Sequence, residues 1–379
     1  MSHDSALTPD STLSLISPVV HTALQVNPNV DSPAGSIDYA NWSLGYSVSS
    51  AGDFNGDGID DVIIGANAAN PSDRSDAGVS YVIFGSMGSV LISPLQGSIF
   101  VNSNRALEIR GVSVSDQSGY SVSSAGDVNG DGFDDVIIGA HQADPDGRSR
   151  AGESYVVFGE HSFDSTDSII NAFELSALNG NNGFRIDGGD FFGVSGLSVS
   201  SAGDVNGDGY GDVIIGAYGA RRVASDIADL PGASYVVFGQ PSGWSSSFDL
   251  SSVNGSNGFR LVGEDDGDYS GWSVSSAGDF NGDGFDDIII GAPRADPYVI
   301  PSSGTEGWTG KSYVLFGKGS AFSDSIALSS LNGINGFSIG EGSAGGFLGS
   351  SVSSAGDFNG DGYDDVVIGA HRTKQVSTF

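Results

Sequence analysis

A nine-residue phrase, Asp-x-Asn-Gly-Asp-Gly-x-x-Asp, occurs five times in this 379-residue chain, opening at Asp53, Asp127, Asp204, Asp279 and Asp357. The copies stand 74, 77, 75 and 78 residues apart. Such near-constant spacing defines an array, and an array buries its core between neighbouring units rather than around one centre. Every copy sits in the same succession of signals. Eight residues ahead lies a glycine: Gly45, Gly119, Gly196, Gly271 or Gly349. From there to the phrase runs Tyr-Ser-Val-Ser-Ser-Ala-Gly in the first two units, with Leu197, Trp272 or Ser350 in place of the tyrosine later. The alternation of Tyr46, Val48 and Ser50 has the two-residue period of a strand.

After the phrase comes an unbroken apolar run, Val62-Ile63-Ile64-Gly65-Ala66 in the first unit and Ile288-Ile289-Ile290-Gly291-Ala292 in the fourth. With no polar residue alternating, this second strand is expected to be buried on both faces. A third strand reads Tyr-Val-x-Phe-Gly at Tyr81–Gly85, Tyr155–Gly159 and Tyr235–Gly239, and as Tyr-Val-Leu-Phe-Gly at Tyr313–Gly317. A fourth is expected at Leu107–Arg110, Gly183–Ile186, Gly258–Leu261 and Gly336–Ile339. Four short antiparallel strands repeated in tandem predict an all-β chain, a β-propeller of four-stranded blades. The units run at about 43–111, 117–189, 193–264, 269–341 and 346–379, the last incomplete because it carries neither a third nor a fourth strand pattern. Residues 1–42 form an N-terminal segment, partly disordered, with weak strand patterns at Thr12–Ile16 and Val19–Val26. Either that segment adds strands to the last blade, or the chain is a piece of a longer array.

The phrase itself is a candidate metal loop. It sets oxygen donors at alternating positions of a tight turn, as a hard cation such as Ca²⁺ requires. The expected ligands are side chains at positions one, three, five and nine and the backbone carbonyl at position seven. They are Asp53, Asn55, Asp57, Ile59 and Asp61; Asp127, Asn129, Asp131, Phe133 and Asp135; Asp204, Asn206, Asp208, Tyr210 and Asp212; Asp279, Asn281, Asp283, Phe285 and Asp287; and Asp357, Asn359, Asp361, Tyr363 and Asp365. That gives about five ions per chain. The position-eight aspartate, Asp60 in the first unit, alternates away from the metal and caps the turn or faces solvent; Gly211 replaces it in the third. An EF-hand opens with the same spacing but needs a glutamate at position twelve and flanking helices. Position twelve is Ile64, Ile138, Ile215, Ile290 or Ile368, each inside a strand-like run. The competing reading is a tight turn without metal, which five copies retaining every ligand position disfavour.

The phrase together with its surroundings, Gly…Ser-Val…Gly-Asp-x-Asn-Gly-Asp-Gly-x-Asp-Asp-x-x-x-Gly-Ala-Pro, resembles the FG-GAP repeat of integrin α-subunit propellers. Gly271–Pro293 is the nearest match, Phe192-Gly193 supplies a literal Phe-Gly, and the resemblance extends over residues 43–370. The closing proline is kept only at Pro293, being Asn67, His141, Tyr218 and His371 elsewhere, and the units are longer and fewer than the seven of integrins. The linkers 173–180, 248–255 and 326–333, of the form Phe-Asp-Leu-Ser-Ser-Val-Asn-Gly, are similar to bacterial FG-GAP proteins exported through C-terminal signals. The resemblance implies an extracellular or cell-surface binding module stabilised by calcium. It also implies a protein or carbohydrate ligand on the face opposite the metal loops.

The variable connections between second and third strands lie on that opposite face. They lengthen from 16 residues between Gly65 and Tyr81 to 22 between Gly291 and Tyr313. Variation on a constant scaffold is where specificity resides. Arg148, Arg150, Arg221, Arg222, Arg294 and Trp308 fall in these loops, as candidate ligand contacts or as solvated decoration.

A net charge of −33 argues against nucleic acid and anionic membrane surfaces as partners, and five dications would still leave the chain acidic. There is no cysteine for a disulfide framework or thiolate metal site. The opening residues carry no recognisable secretory signal, so export is expected by another route, and no apolar stretch approaches the ~20 residues of a membrane span. No catalysis is expected, since the chain has neither a Gly-x-Ser-x-Gly elbow nor His-Glu-x-x-His. His3, His21, His141, His161 and His371 are scattered, and His141 and His371 share one repeat position, expected to serve packing or to face solvent. Two further readings stay open: a lectin using Trp42, Trp244, Trp272 or Trp308, and an accessory domain of a secreted hydrolase. Because Trp272 replaces Tyr46 in the repeat, core packing is its expected role.

Overall fold

The computed structural model describes residues 43–86, 92–93, 100–101, 106–164, 170–221, 230–295, 308–340 and 345–371. Segment 1–42, with its two strand patterns, His3, His21 and Trp42, lies outside them, as do Arg222 and residues 372–379.

Each unit begins with the strand predicted from its alternating serines: Ser47–Gly52, Ser121–Gly126, Ser198–Gly203, Ser273–Gly278 and Leu348–Gly356. Each pairs antiparallel with a second strand beginning at position nine of the repeated phrase, namely Asp61–Ala66, Asp135–Ala140, Asp212–Ala217, Asp287–Ala292 and Asp365–Ala370. The register slips by one residue just before the loop, between Ser50 and Gly52 and at each equivalent place. A serine side chain supports the bulge, Ser50 Oγ accepting from Gly52 N at 3.2 Å.

Third strands (Val79–Ile83, Glu153–Val157, Ala233–Val237, Lys311–Leu315) and fourth strands (Ala106–Arg110, Gly183–Asp187, Gly258–Val262, Gly336–Ile339) complete four antiparallel sheets. The third strands start two residues earlier than the aromatic pattern indicated and stop before its Phe-Gly, because that glycine turns to meet the last aspartate of the repeated phrase, Gly85 N donating to Asp61 Oδ1. The fifth sheet has two strands among the described residues.

The second strands of the middle units are buried throughout, as their unbroken apolar runs predict. Successive residues serve different cores. Ile138 packs with Phe54, Ile63 and Leu107 of the preceding unit, whereas Ile137 packs with Val199, Val213 and Ile215 of the following one. The hydrophobic core is thus a series of layers between sheets. In the last sheet, with no following neighbour described, Val367 is exposed.

First strands lie side by side in chain order, and no comparable contact joins the fifth sheet to the first. This propeller-like succession brings backbones close together at each boundary. A Cβ on Gly65 would stand 2.0 Å from the carbonyl oxygen of Gly119, and one on Gly139 would stand 2.0 Å from that of Gly196. Only glycine admits so close an approach.

The linkers form a feature not foreseen. Ile170–Glu174, Ser247–Asp249 and Ser325–Ala327 add a fifth strand, parallel, to the fourth strand of the preceding unit's sheet. The Leu-Ser-Ser or Leu-Ser-Ala that follows makes a short 3-10 turn whose leucine is buried: Leu175, Leu250 and Leu328. An aromatic residue ahead of the strand anchors it across the boundary. Trp244 stacks on Phe184 at 3.9 Å between ring centroids, and Phe322 on Phe259 at 4.4 Å. Acidic linker residues meet loop arginines of the preceding unit, Arg74 with Glu174 at 2.6 Å and Arg148 with Asp249 at 2.7 Å.

Candidate functional site

Each repeated loop folds around its own acids. In the first, Asp53 Oδ1 accepts from Asp57 N and Oδ2 from Gly58 N, both at 2.9 Å. Asn55 Oδ1 accepts from Asp57 N, and Asp57 Oδ1 from Ile59 N, again at 2.9 Å. The bonds from position one to N–H groups of positions five and six recur in the loops opened by Asp127, Asp204, Asp279 and Asp357. Left-handed glycines at positions four and six, Gly56 at φ 70° and Gly58 at φ 86°, make this wrapping possible.

Position nine behaves differently. Asp61, Asp135, Asp212 and Asp287 are buried, each clipping two parts of its blade. In the second unit Asp135 Oδ2 accepts from Val128 N at 2.9 Å, and Oδ1 from Gly159 N at the end of the third strand, also at 2.9 Å. Gly85, Gly239 and Gly317 meet Asp61, Asp212 and Asp287 in the same way. In the fifth unit Asp365 is half-buried and is bonded by Asn359 alone.

The electrostatics follow from burial. Desolvation pushes Asp61 up to about 7, Asp212 to about 8 and Asp287 to about 7, and Asp135 well above the carboxylate range. Backbone N–H bonds oppose this, and the acids at positions five and one add to it. No Lys or Arg occurs within any of the five loops. Among the described residues no three acidic or histidine side chains are gathered as a ready-made cage, since carboxylate oxygens are turned toward loop N–H groups. The donor set is nevertheless one of oxygens alone, anionic and without a countercharge, although Oδ1 of Asp127, Asp204 and Asp357 each accepts two loop N–H bonds. It fits a hard dication.

Adjacent loops are interlocked. Asp134 Oδ2 accepts from Asp53 N at 2.9 Å, Asp286 from Asp204 N at 2.7 Å, and Asp364 from Asp279 N at 2.9 Å. Position eight therefore does not cap its own turn: it caps position one of the preceding loop, leaving only Asp60, with no loop before it, exposed. At the remaining boundary Gly211 supplies a backbone bond alone, to Asp127 O at 2.8 Å. The position-seven side chain also crosses over. Phe133, Tyr210, Phe285 and Tyr363 cover Gly56, Gly130, Gly207 and Gly282, where a Cβ would come within 2.2 to 2.3 Å of the ring. Sequence spacing gives no sign of these contacts, because their partners lie a whole unit apart.

The FG-GAP repeat model matches residues 44–83, 118–157, 195–237, 270–315 and 348–376, each stretch containing one of these acidic loops with the strands on either side. The chain belongs to the FG-GAP repeat family. In the third unit the match begins at Ser195 and includes Gly196, so Phe192-Gly193 lies just ahead of it. FG-GAP relatives include integrin alpha pat-2 of Caenorhabditis elegans, 30% identical over 68% of this chain and 18% of that protein. Integrin alpha-5 of Xenopus laevis is 28% identical over 73% of this chain and 22% of its own length. Phosphatidylinositol-glycan-specific phospholipase D of Bos taurus is 31% identical over 47% of this chain and 19% of its own. The chain thus spans about a fifth of the length of these relatives.

The end of the FG-GAP units opposite the loops, where second strands finish and first strands start, is rich in aromatic residues. Tyr120 packs on Tyr46 at 4.7 Å and on His141 at 4.1 Å. Further along, Tyr218, Tyr269 and Trp272 meet, with Phe347 on His371. Trp272 is 37% exposed and Tyr46 53%, so the core role expected for that repeat position is corrected: the first strand's leading residue projects beyond the sheet layers. His141 is buried and His371 exposed, so the shared repeat position serves both expected roles. Of the loop arginines, Arg148 is committed to the linker strand, whereas Arg294 has no acidic partner among the described residues. No helix among the described residues is long and apolar enough to cross a membrane.

Proposed function

We propose that this FG-GAP chain is a calcium-stabilised adhesion or ligand-binding propeller that acts outside the cell, without catalysis of its own. The reading rests chiefly on the acidic loop repeated five times, whose position-nine carboxylate, buried in the first four units, faces acids at positions one and five with no cation supplied by the loop. Calcium held by the oxygens of positions one, three, five and nine and the position-seven carbonyl would relieve that repulsion, about five ions in all. Residues 43–379 form the binding unit and 1–42 a preceding segment.

The ion's role is structural. The loop joins first and second strands, and position eight of one loop reaches position one of the one before, so order in each loop supports its neighbour. The partner, a protein or a carbohydrate, is assigned to the opposite face, where connections differ in length and sequence. That agrees with the adhesion proteins among the relatives. A role as accessory domain of a secreted hydrolase is favoured only by the similarity to a phospholipase D.

The deciding experiment is calcium titration of the metal-stripped chain by calorimetry, followed by adhesion to immobilised matrix proteins with calcium and with chelator. Calcium uptake near five equivalents with calcium-dependent adhesion is expected. No uptake removes the metal assignment, and uptake without adhesion to any matrix or glycan surface removes the binding reading.

A further inference from the structure

Features common to all five units build the scaffold; features confined to one unit are where a particular ligand is met. On the face opposite the loops, the boundary between the fourth and fifth sheets holds a cavity of about 140 Å³ lined by Tyr269, Trp272, Pro293, Arg294, Phe347 and Ser350, with His371 at its side. Its key residues are not repeat residues. Arg294 stands where the first three units have Ala68, Gln142 and Gly219, and Trp272 where they have Tyr46, Tyr120 and Leu197.

Arg294, like Arg150 and Arg221, is paired with no acidic side chain among the described residues. With 47 acidic and 14 basic residues, most described arginines find a carboxylate: Arg74, Arg110, Arg148, Arg185 and Arg260 all do. The Arg294 guanidinium instead lies 4.1 Å from the centroid of Tyr269 and 4.6 Å from that of Trp308. Stacking on aromatic faces occupies the plane of a guanidinium and leaves the N–H groups at its edge for an acceptor.

We propose that this cavity binds an acidic sugar through its carboxylate, Arg294 pairing with the carboxylate while the partly exposed ring of Trp272 presents an apolar face to the pyranose ring. The inference rests on the reading of this face as the partner-binding one. Three observations select that chemistry. An arginine edge is suited to bidentate recognition of a carboxylate. An aromatic wall, with Trp272 partly exposed, suits the apolar face of a sugar better than a bare peptide carboxylate. The net charge of −33 repels polyanions at long range, so the ligand carries an isolated carboxylate, such as a terminal uronate.

The test uses the full chain in calcium, with methyl glucuronide, methyl glucoside and an acetylated aspartyl peptide as probes, read by calorimetry and tryptophan fluorescence. Methyl glucuronide is expected to bind and to perturb tryptophan emission, with the glucoside and peptide at least tenfold weaker. Arg294→Gln should weaken glucuronide at least tenfold. Trp272→Leu, the residue the third unit carries as Leu197, should do likewise without lowering the melting temperature. Equal binding of the glucoside, preference for the peptide, or full affinity in Arg294→Gln each overturns the proposal. Matrix adhesion that persists in Arg294→Gln, in a chain that does not bind glucuronide, removes the pocket and leaves the wider binding reading standing. Glucuronide binding without any matrix adhesion does the reverse.

Discussion

Asp134 and Asp53 are 81 residues apart in the chain, yet the Asp134 carboxylate accepts the Asp53 backbone N–H at 2.9 Å. Position one of a loop is therefore held by the unit that follows it. Removing the carboxylate leaves a part-buried N–H without its acceptor. Asp134→Ala should destabilise the chain by about 1–2 kcal/mol, measured by urea unfolding. The one boundary without such a carboxylate does not admit the reciprocal change: a Cβ on Gly211 would stand 2.9 Å from the Ala125 carbonyl oxygen, so Gly211→Asp should lower stability rather than restore the cap.

Removing calcium should lower the melting temperature. A ligand that binds only the folded state at a hundred times its Kd contributes about 2.7 kcal/mol per site, so several sites together dominate the stability of the chain. Asp131→Asn should reduce calcium uptake by one equivalent in calorimetry and shrink the difference between the calcium and chelator melting curves. Identical curves in wild type would refute the metal role.

The linker strand predicts a mechanical dependence between units. Trp244 lies flat on Phe184 of the preceding unit, and truncation opens a gap that no nearby side chain fills. Trp244→Ala should cost about 3 kcal/mol, and Trp244→Phe, which copies the Phe322–Phe259 pair, should recover most of it. Hydrogen exchange should locate the loss in the Gly183–Asp187 and Ser247–Asp249 strands; uniform loss across all units would refute a local strap.

Two buried groups on neighbouring strands give opposite pH responses. Burial, with a smaller contribution from Arg150, pushes His141 down to about 4. Below its unfolded pKa of ~6.5 the unfolded chain takes up a proton that the folded one refuses, so stability falls as pH drops from about 6.5 toward 4. Burial pushes Glu153 up to about 7, against its bond from Tyr155 and the nearby Arg185. The folded chain then binds the proton first, so stability rises as pH drops from about 7 toward the ordinary glutamate value. His141→Tyr, the residue of the third unit at Tyr218, should remove the acid loss and leave the Glu153 gain, seen as a higher melting temperature at pH 5 than at pH 7 in the variant. Unchanged pH dependence would show that His141 is not proton-linked to folding.

Much of the fold was legible because its signals are local and repeated. The period-two serines, the unbroken isoleucine runs, the Tyr-Val-x-Phe-Gly segments and the Gly-Phe-Arg-Ile segments place all four strands of a blade, since strand patterning depends on which faces a residue exposes. The linkers were not legible as strands. Phe-Asp-Leu-Ser-Ser carries too short an alternation, and its pairing partner lies in the preceding unit. Trp272 was misplaced for a related reason: a shared repeat position fixes the backbone, but exposure depends on what the neighbouring sheet brings alongside.

The sequence by itself determined the number of units, the strand order within each and the oxygen-rich character of the loops, because these depend on residues within one period. Only the tertiary structure decided which groups meet across a boundary. Asp134 caps Asp53, Phe133 covers Gly56, and Arg294 lies between the rings of Tyr269 and Trp308. Such contacts join residues far apart in sequence, and the geometry of one sheet packed on the next, rather than any local pattern, brings them together.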